Sequence, residues 1–321
     1  MFNCILRDKR PLLGTNNDNA IADGGLAAGE QTVKNQTKTF LISASVFALL
    51  GSAIAYAESA GHSAVGDELI AEQRAKLIEA TAGKGFGPQS PRDLSVVDGA
   101  NSITFGDAPD FAVMNLCNIH FHEGAEHRGG EFTTYIGNGD GHGYGTGFKY
   151  DGTLSEAELA PVDYSVGFTE HGTLEPGDTI EIHYVHSTAD VKPGPTLGSC
   201  LNESVGNPQL RVESFVYVLV NDDGAADLTK LNMVSQDSGK WQVPNMPMDA
   251  GYAVSYDGST TGPSYNEAGS PFQATWNVHT KVTKVSIASV AKWLAKNEFD
   301  EDHAHGVRNL VVDPALLSKI N

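Results

Sequence analysis

The chain has 321 residues, a formal net charge of −19, 40% hydrophobic and 19% charged residues, and 35 glycines. That balance excludes a disordered chain and allows a sizeable core with many turns. A surface this acidic repels phosphate backbones, so no nucleic-acid partner is expected.

Residues 1–33 are polar and without periodicity. Lys34 and Lys38 then precede an apolar run from Phe40 to Ile54, followed by Ala55-Tyr56-Ala57. A positive region, a short apolar core and a small-x-small site make up a secretory signal peptide. The run is too short and too rich in small residues for a comfortable membrane span. The expectation is a leader and signal over 1–57, cleavage near Ala57, and a periplasmic or secreted protein with no membrane association afterwards. Residues 58–106 read as an N-terminal arm. Within it GDELIAEQRAKLIEAT carries Leu69, Ile70, Leu77 and Ile78 at helical spacing, which predicts a short amphipathic helix. In an exported chain Cys117 and Cys200 predict one disulfide.

From 107 to 321 the pattern is that of a single β-rich domain. FAVMNLCNIHFHEG is an extended run that alternates near its end. TIEIHYVHST alternates again and follows the turn EPGD. SFVYVLV is apolar throughout and reads as a strand buried on both faces. FQATWNVHTKVTKVSI reads as a strand pair, and IASVAKWLAKN as a helix. GNGDGHGYGTG is a glycine-rich loop. The predicted fold class is mainly β with few short helices.

Two of the strands concentrate metal-competent side chains. In NIHFH, Asn118, His120 and His122 share one face, and Cys117, Ile119 and Phe121 the other. In TIEIHYVH, Glu181 and His183 share a face, while His186 lies opposite and reads as packing. If the strands are neighbours, His183 adds a third imidazole to His120 and His122. Asn118 and Glu181 then lie on the ligand faces, where a bound histidine donates its second N–H to such a partner. Three neutral histidines leave zinc its full charge and an open position, the arrangement for hydration or hydrolysis. A structural zinc site would be closed by a fourth ligand. Cobalt or cadmium suits the same ligand types. A lone H-x-H is a weak signal, and purely structural histidines are the bland alternative. His127 is open between fourth ligand, proton carrier and surface residue.

NIHFHEGAEH, EIHYVH and YDGSTTGP…TWNV together resemble the carbonic anhydrases. The first block looks closest to the delta class, where an H-x-H is followed by an A-E-H stretch. The order also resembles the alpha class, with its H-F-H strand, its E-x-H-x-V-H strand and a G-S-x-T-T-x-P loop before a T-W strand. The resemblance covers about residues 110–285. It implies an alpha-like architecture on a central twisted, mostly antiparallel sheet, and reversible hydration of CO2 to bicarbonate and a proton by a zinc hydroxide held on His120, His122 and His183. It assigns Asn118 and Glu181 to orienting those ligands. Thr261, or Thr260 one position earlier, matches the threonine that hydrogen-bonds the hydroxide, and Glu126 the carboxylate that accepts that threonine's proton. Val218, Val254 and Trp276 are pocket or core residues.

The pattern departs from the family in lacking any histidine between His62 and His120, where the alpha class carries its proton shuttle. His127, His142 and His171 are the substitutes. NEFDEDHAH reads as solvated surface. Two alternatives remain. A cupin would use HFHEGAE as H-x-H-x3-E with Glu126 as a ligand, although Thr133 stands where its motif wants glycine. A non-catalytic exported zinc-binding protein would be signalled by a lost ligand or a lost Thr/Glu pair, and neither is missing. Oligomeric state is not legible.

Overall fold

A strand apolar on both faces has to sit inside a sheet, and SFVYVLV does. The computed structural model describes residues 64–96, 98–260, 267–308 and 310–320. The leader, the signal segment and Thr261 lie outside the described residues. The described elements are a helix at Asp67–Thr81 (α1), then strands Asn115–Glu123 (β1), Thr134–Asn138 (β2), Thr146–Lys149 (β3), Thr179–Ser187 (β4) and Leu210–Val220 (β5). A short helix follows at Leu228–Leu231 (α2), then strands Ser235–Asp237 (β6), Lys240–Gln242 (β7), Ala253–Ser259 (β8), Gln273–His279 (β9) and Thr283–Ser286 (β10), and a helix at Ile287–Leu294 (α3). Among the described residues no helix is long and apolar enough to cross a membrane.

The main sheet runs β1-β4-β5-β9-β8, with β10 also on β5. The β1–β4, β4–β5 and β8–β9 pairs are antiparallel. FQATWNVHTKVTKVSI forms two strands, but they do not pair with each other. Both run parallel to β5, β9 along Arg211–Ser214 and β10 along Tyr217–Val220. The long β5 offers one edge to both in succession, so the sheet is mixed.

Period-2 alternation sorts the sheet's side chains into two cores. One face puts Ile119, Phe121, Ile182, Tyr184, Phe215 and Tyr217 under α3, against Ile287, Val290 and Trp293. Each such apolar side chain, fully buried, contributes roughly 1.5–3 kcal/mol. The other face holds Val185, Val212, Val216, Trp276 and Val278. The strand alternation expected for Cys117 needs correcting. A bulge between Leu116 and Asn118 shifts the β1–β4 register. Cys117 therefore leaves the face of Ile119 and Phe121 and packs in the second core, where it forms a disulfide with Cys200. An extra residue in one strand flips every side chain before it. Beyond the bulge regular alternation keeps Asn118, His120 and His122 together on the second face.

α1 buries Leu77 against Val311, Leu316 and Leu317. The C-terminal tract is not the solvated surface its acidity suggests. His305 N donates to Phe121 O, and Glu123 N to His305 O, so the tract meets the edge of β1 in an isolated parallel bridge at His122. The free edge of β1 needs partners for its backbone groups, and this segment supplies them.

Candidate metal centre

The register of β1 on β4 places His120 directly across from His183, and His122 across from Glu181. Directly opposed residues have Cβ atoms roughly 4.5–5.5 Å apart, which lets imidazoles converge. The ring centroids of His120, His122 and His183 are 4.9–5.3 Å apart. One nitrogen from each ring lies within 4.8 Å of the other two.

Hydrogen bonds fix which nitrogen that is. His120 Nδ1 lies 2.6 Å from Asn118 Oδ1. His122 Nδ1 lies 3.1 Å from the carbonyl oxygen of Gly306. His183 Nε2 lies 3.0 Å from Glu181 Oε1. All three partners are acceptors, so each of these ring nitrogens carries the proton. Nε2 of His120, Nε2 of His122 and Nδ1 of His183 are left with lone pairs. His122 Nε2 is buried without a hydrogen-bond partner, and His120 Nε2 lies only 3.3 Å from His183 Nδ1. Lone pairs facing each other at that range repel unless a cation shares them. The donor set fits zinc. Burial and the neighbouring rings hold His120 well below the usual imidazole range, and burial brings His122 down to about 4. Both favour the neutral form that a metal requires.

The orienting groups are themselves held. Asn118 Nδ2 donates to Gly194 O at 3.0 Å. Glu181, 0% exposed, accepts five hydrogen bonds. Oε1 takes His127 Nδ1 (2.6 Å), His183 Nε2 (3.0 Å) and Ser214 Oγ (2.6 Å), and Oε2 takes the backbone N–H of Glu126 (2.7 Å) and of His127 (3.2 Å). Burial alone would raise this carboxyl, but the charge and hydrogen bonds of His127 and His183 bring it well below the ordinary range. Burial would lower His127, and the Glu181 carboxylate outweighs it and raises that histidine. His127 also contacts Tyr256 OH through Nε2 at 2.7 Å. Fully buried and bonded at both nitrogens, His127 belongs to the support of Glu181 and is not on a path to solvent.

Glu126 Oε1 accepts from the backbone N–H of Arg308 at 2.9 Å, and lies 3.6 Å from His122 Nδ1, beyond hydrogen-bond range. It sits beside the ligand set and outside it. A cavity over the ligands is lined by His120, His183 and Glu126, by apolar Val185, Val212 and Trp276, and by Thr260 and Arg308. Thr260 Oγ1 has no hydrogen-bond partner among the described residues, so Thr260 does not donate to Glu126 here. Val218 is core, and Val254 is a partly buried neighbour of the same cluster. His186 packs against the tilted ring of Phe111 on the far face, where burial brings it down to about 4. His142 is exposed on the glycine-rich loop, and His171 stacks on Tyr144.

The sequence reading did not find the C-terminal contributions. Gly306 O orients His122, Arg308 N holds Glu126, and the His305 ring centroid is 6.0 Å from those of His120 and His122. His305 is 44% exposed and pairs with Glu301 at 2.7 Å, so it stands where the ligand cluster meets solvent. Its only sequence signal was the second H-x-H, at 303–305. Backbone groups of Gly306 and Arg308 leave no signal in side-chain pattern.

Three tautomer-fixed histidines on a sheet, with a cavity above them, form a cluster that could hold a metal ion and leave it an open position, the arrangement of hydrolases and hydratases. A family model described as delta carbonic anhydrase matches residues 111–289. The chain belongs to the delta carbonic anhydrase family, and it is a carbonic anhydrase. The cupin alternative is thereby set aside, in keeping with Glu126 lying outside the ligand set. Among solved structures, a halotolerant carbonic anhydrase from Dunaliella salina is similar at 16% identity over 72% of this chain and 86% of that one, with a TM-score of 0.30. An alpha-carbonic anhydrase from Photobacterium profundum is similar at 16% identity over 78% and 97%, with a TM-score of 0.22. Family membership rests on the family model and not on these two. A search of curated proteins finds no match.

Proposed function

We propose that the chain hydrates CO2 reversibly to bicarbonate and a proton at a zinc ion held by His120 Nε2, His122 Nε2 and His183 Nδ1. The observation that carries this is the set of three committed N–H donors, to Asn118, Gly306 and Glu181, which leaves three lone pairs converging beneath a cavity. Zinc in such a site keeps an open position and lowers the pKa of water there to about 7, the established value for carbonic anhydrases. Asn118, Glu181 and Gly306 fix the tautomer and the aim of the three rings. Val185, Val212 and Trp276 present an apolar wall that suits a neutral, weakly hydrated molecule such as CO2. In this reading Glu126 accepts a hydrogen bond from the Thr261 hydroxyl, which leaves that oxygen's lone pairs to accept from the attacking group and fix its orientation. Support for Thr261 over Thr260 is that Thr260 makes no bond to Glu126. Export to an oxidising compartment is the companion proposal, supported by the Cys117–Cys200 disulfide.

Stopped-flow CO2 hydration with a pH indicator, with and without a chelator, tests the reading. Chelator-sensitive hydration is expected, and its absence would overturn it. His183→Ala should lose zinc and activity together. Glu126→Gln should keep zinc and slow turnover by roughly 10–100-fold, the range for removing a supporting hydrogen bond. Loss of zinc in that variant would instead make Glu126 a ligand.

A further inference from the structure

The tract after α3 carries a second H-x-H, His303 and His305, among Glu298, Asp300, Glu301 and Asp302. The centre described above draws on the backbone of this tract, at Gly306 and Arg308. The two imidazoles have the same carboxylate backing as His183. His303 Nδ1 faces Asp302 Oδ1, and His305 Nε2 lies 2.7 Å from Glu301 Oε2. Both partners accept, so in the neutral rings those nitrogens carry the proton. His303 Nε2 and His305 Nδ1 keep the lone pairs, the arrangement that prepares a histidine for a metal.

The two rings stand 5.5 Å apart by centroid, close to the 4.9–5.3 Å within the ligand cluster. The His305 centroid is in turn 6.0 Å from those of His120 and His122. The side chains of His303 and His305 are 36% and 44% exposed, whereas His122 and His183 are buried. Imidazoles thus form a stepped series from solvent to the ligand cluster. A hydrated dication entering a buried cluster has to shed water, which is costly unless ligands replace that water as it leaves. A surface pair divides the exchange into stages. Two imidazoles leave zinc's other positions to water, so the ion is held weakly and can move on. The surrounding carboxylates raise the local concentration of cations.

We infer that His303 and His305 form a zinc-capture site, which takes the ion from solvent and passes it to His120, His122 and His183. This rests on the zinc-site reading above and adds to it the route by which the site fills. The transfer is ligand exchange at Zn2+ with no change of oxidation state. Imidazole displaces bound water at the surface, and the inner rings then displace His303 and His305.

The test is zinc uptake by the metal-free protein, followed by stopped flow with a fluorescent zinc indicator. The double variant His303→Ala, His305→Ala should load about tenfold or more slowly, the low end of the rate gain from a charged, focusing surface. Its equilibrium affinity, by chelator competition, should stay within about threefold of wild type, as for other surface substitutions. Release to a chelator should slow by the same factor as uptake, because loading and release share one path. Equilibrium dialysis with excess zinc should show a second, weaker ion on wild type and none on the double variant. His303→Ala alone, one ring further out, should slow loading in the same direction and serves if the double variant does not fold. Wild-type loading rates in these variants, or no second ion on wild type, would overturn capture. So would a fall in affinity that accounts for the slower uptake, since the pair would then belong to the final site. If His183→Ala holds its tight zinc as firmly as wild type, the zinc-site reading fails and takes the capture site with it. If His183→Ala loses that zinc and only the His303 and His305 results are flat, the capture site alone fails.

Discussion

Glu181→Gln is the sharpest perturbation of the centre, because it changes one atom in a group with no exposure to solvent. The carboxylate accepts five hydrogen bonds, three at Oε1 and two at Oε2. An amide keeps one acceptor oxygen and replaces the other by a donor. Whichever way the amide turns, at least two N–H groups then face an NH2. If the oxygen stays at Oε1, the orphans are the backbone N–H groups of Glu126 and His127. If it turns, His183 loses its acceptor. Each lost bond to a buried charge is worth about 1.5–3 kcal/mol, so the variant should be destabilised by about 3–6 kcal/mol. For a chain of this size that is a fall in Tm on the order of 10 °C. Releasing His183 Nε2 should also weaken zinc by roughly 10–100-fold. Differential scanning calorimetry of chelated and zinc-loaded protein separates the two losses, and competition with a chelator gives the zinc affinity. A variant that melts within about 2 °C of wild type and competes equally for zinc would refute the claim that Glu181 anchors the third ligand.

Glu123, at the end of β1, should give stability a pH dependence. Burial first, then Asp178 and Asp140, push its carboxyl up to about 7. A carboxyl raised in the folded state stabilises fully below its unfolded value, and that contribution is lost as pH rises through about 7. Stability should therefore fall between about pH 5 and 8, by about 1–2 kcal/mol after discounting for partial exposure, and Glu123→Gln should flatten the profile. Replacing Cys117 and Cys200 by alanine reopens a sequence separation of 83 residues. The loop-entropy cost is about 4–5 kcal/mol, readable in denaturant unfolding, and a loss under 1 kcal/mol would contradict the loop argument. Gly124 sits at φ +86°, and an added Cβ would collide with the carbonyl oxygen of Thr146. Gly124→Ala should cost more than about 1 kcal/mol and slow CO2 hydration by displacing Glu126 two residues on, and normal stability would show the turn to be adaptable.

Most of the centre's first layer was legible in the chain, for a local reason. A strand's side chains alternate, so Asn118, His120 and His122 had to share a face, and so did Glu181 and His183. The runs that form β4, β5 and α3 were legible on the same grounds of period and composition. Tertiary structure decided the rest. Only strand pairing could place His183 opposite His120, because a register between segments about sixty residues apart has no local signature. Only the bulge in β1 put Cys117 on the ligand face, and one inserted residue is invisible to an alternation argument. The tract after α3 was misjudged from its charge. It carries Glu298, Asp300 and Asp302 outward but buries Glu301 against His305, its backbone pairs with the edge of β1, and the Gly306 carbonyl and Arg308 amide work through groups that every residue possesses. In the sequence His127 was open between ligand, proton carrier and surface residue, and burial and Glu181 gave it a supporting place. What the chain determined alone was the chemistry available on each strand; what the fold decided was which nitrogen of each ring is free, because that depends on acceptors brought in from elsewhere.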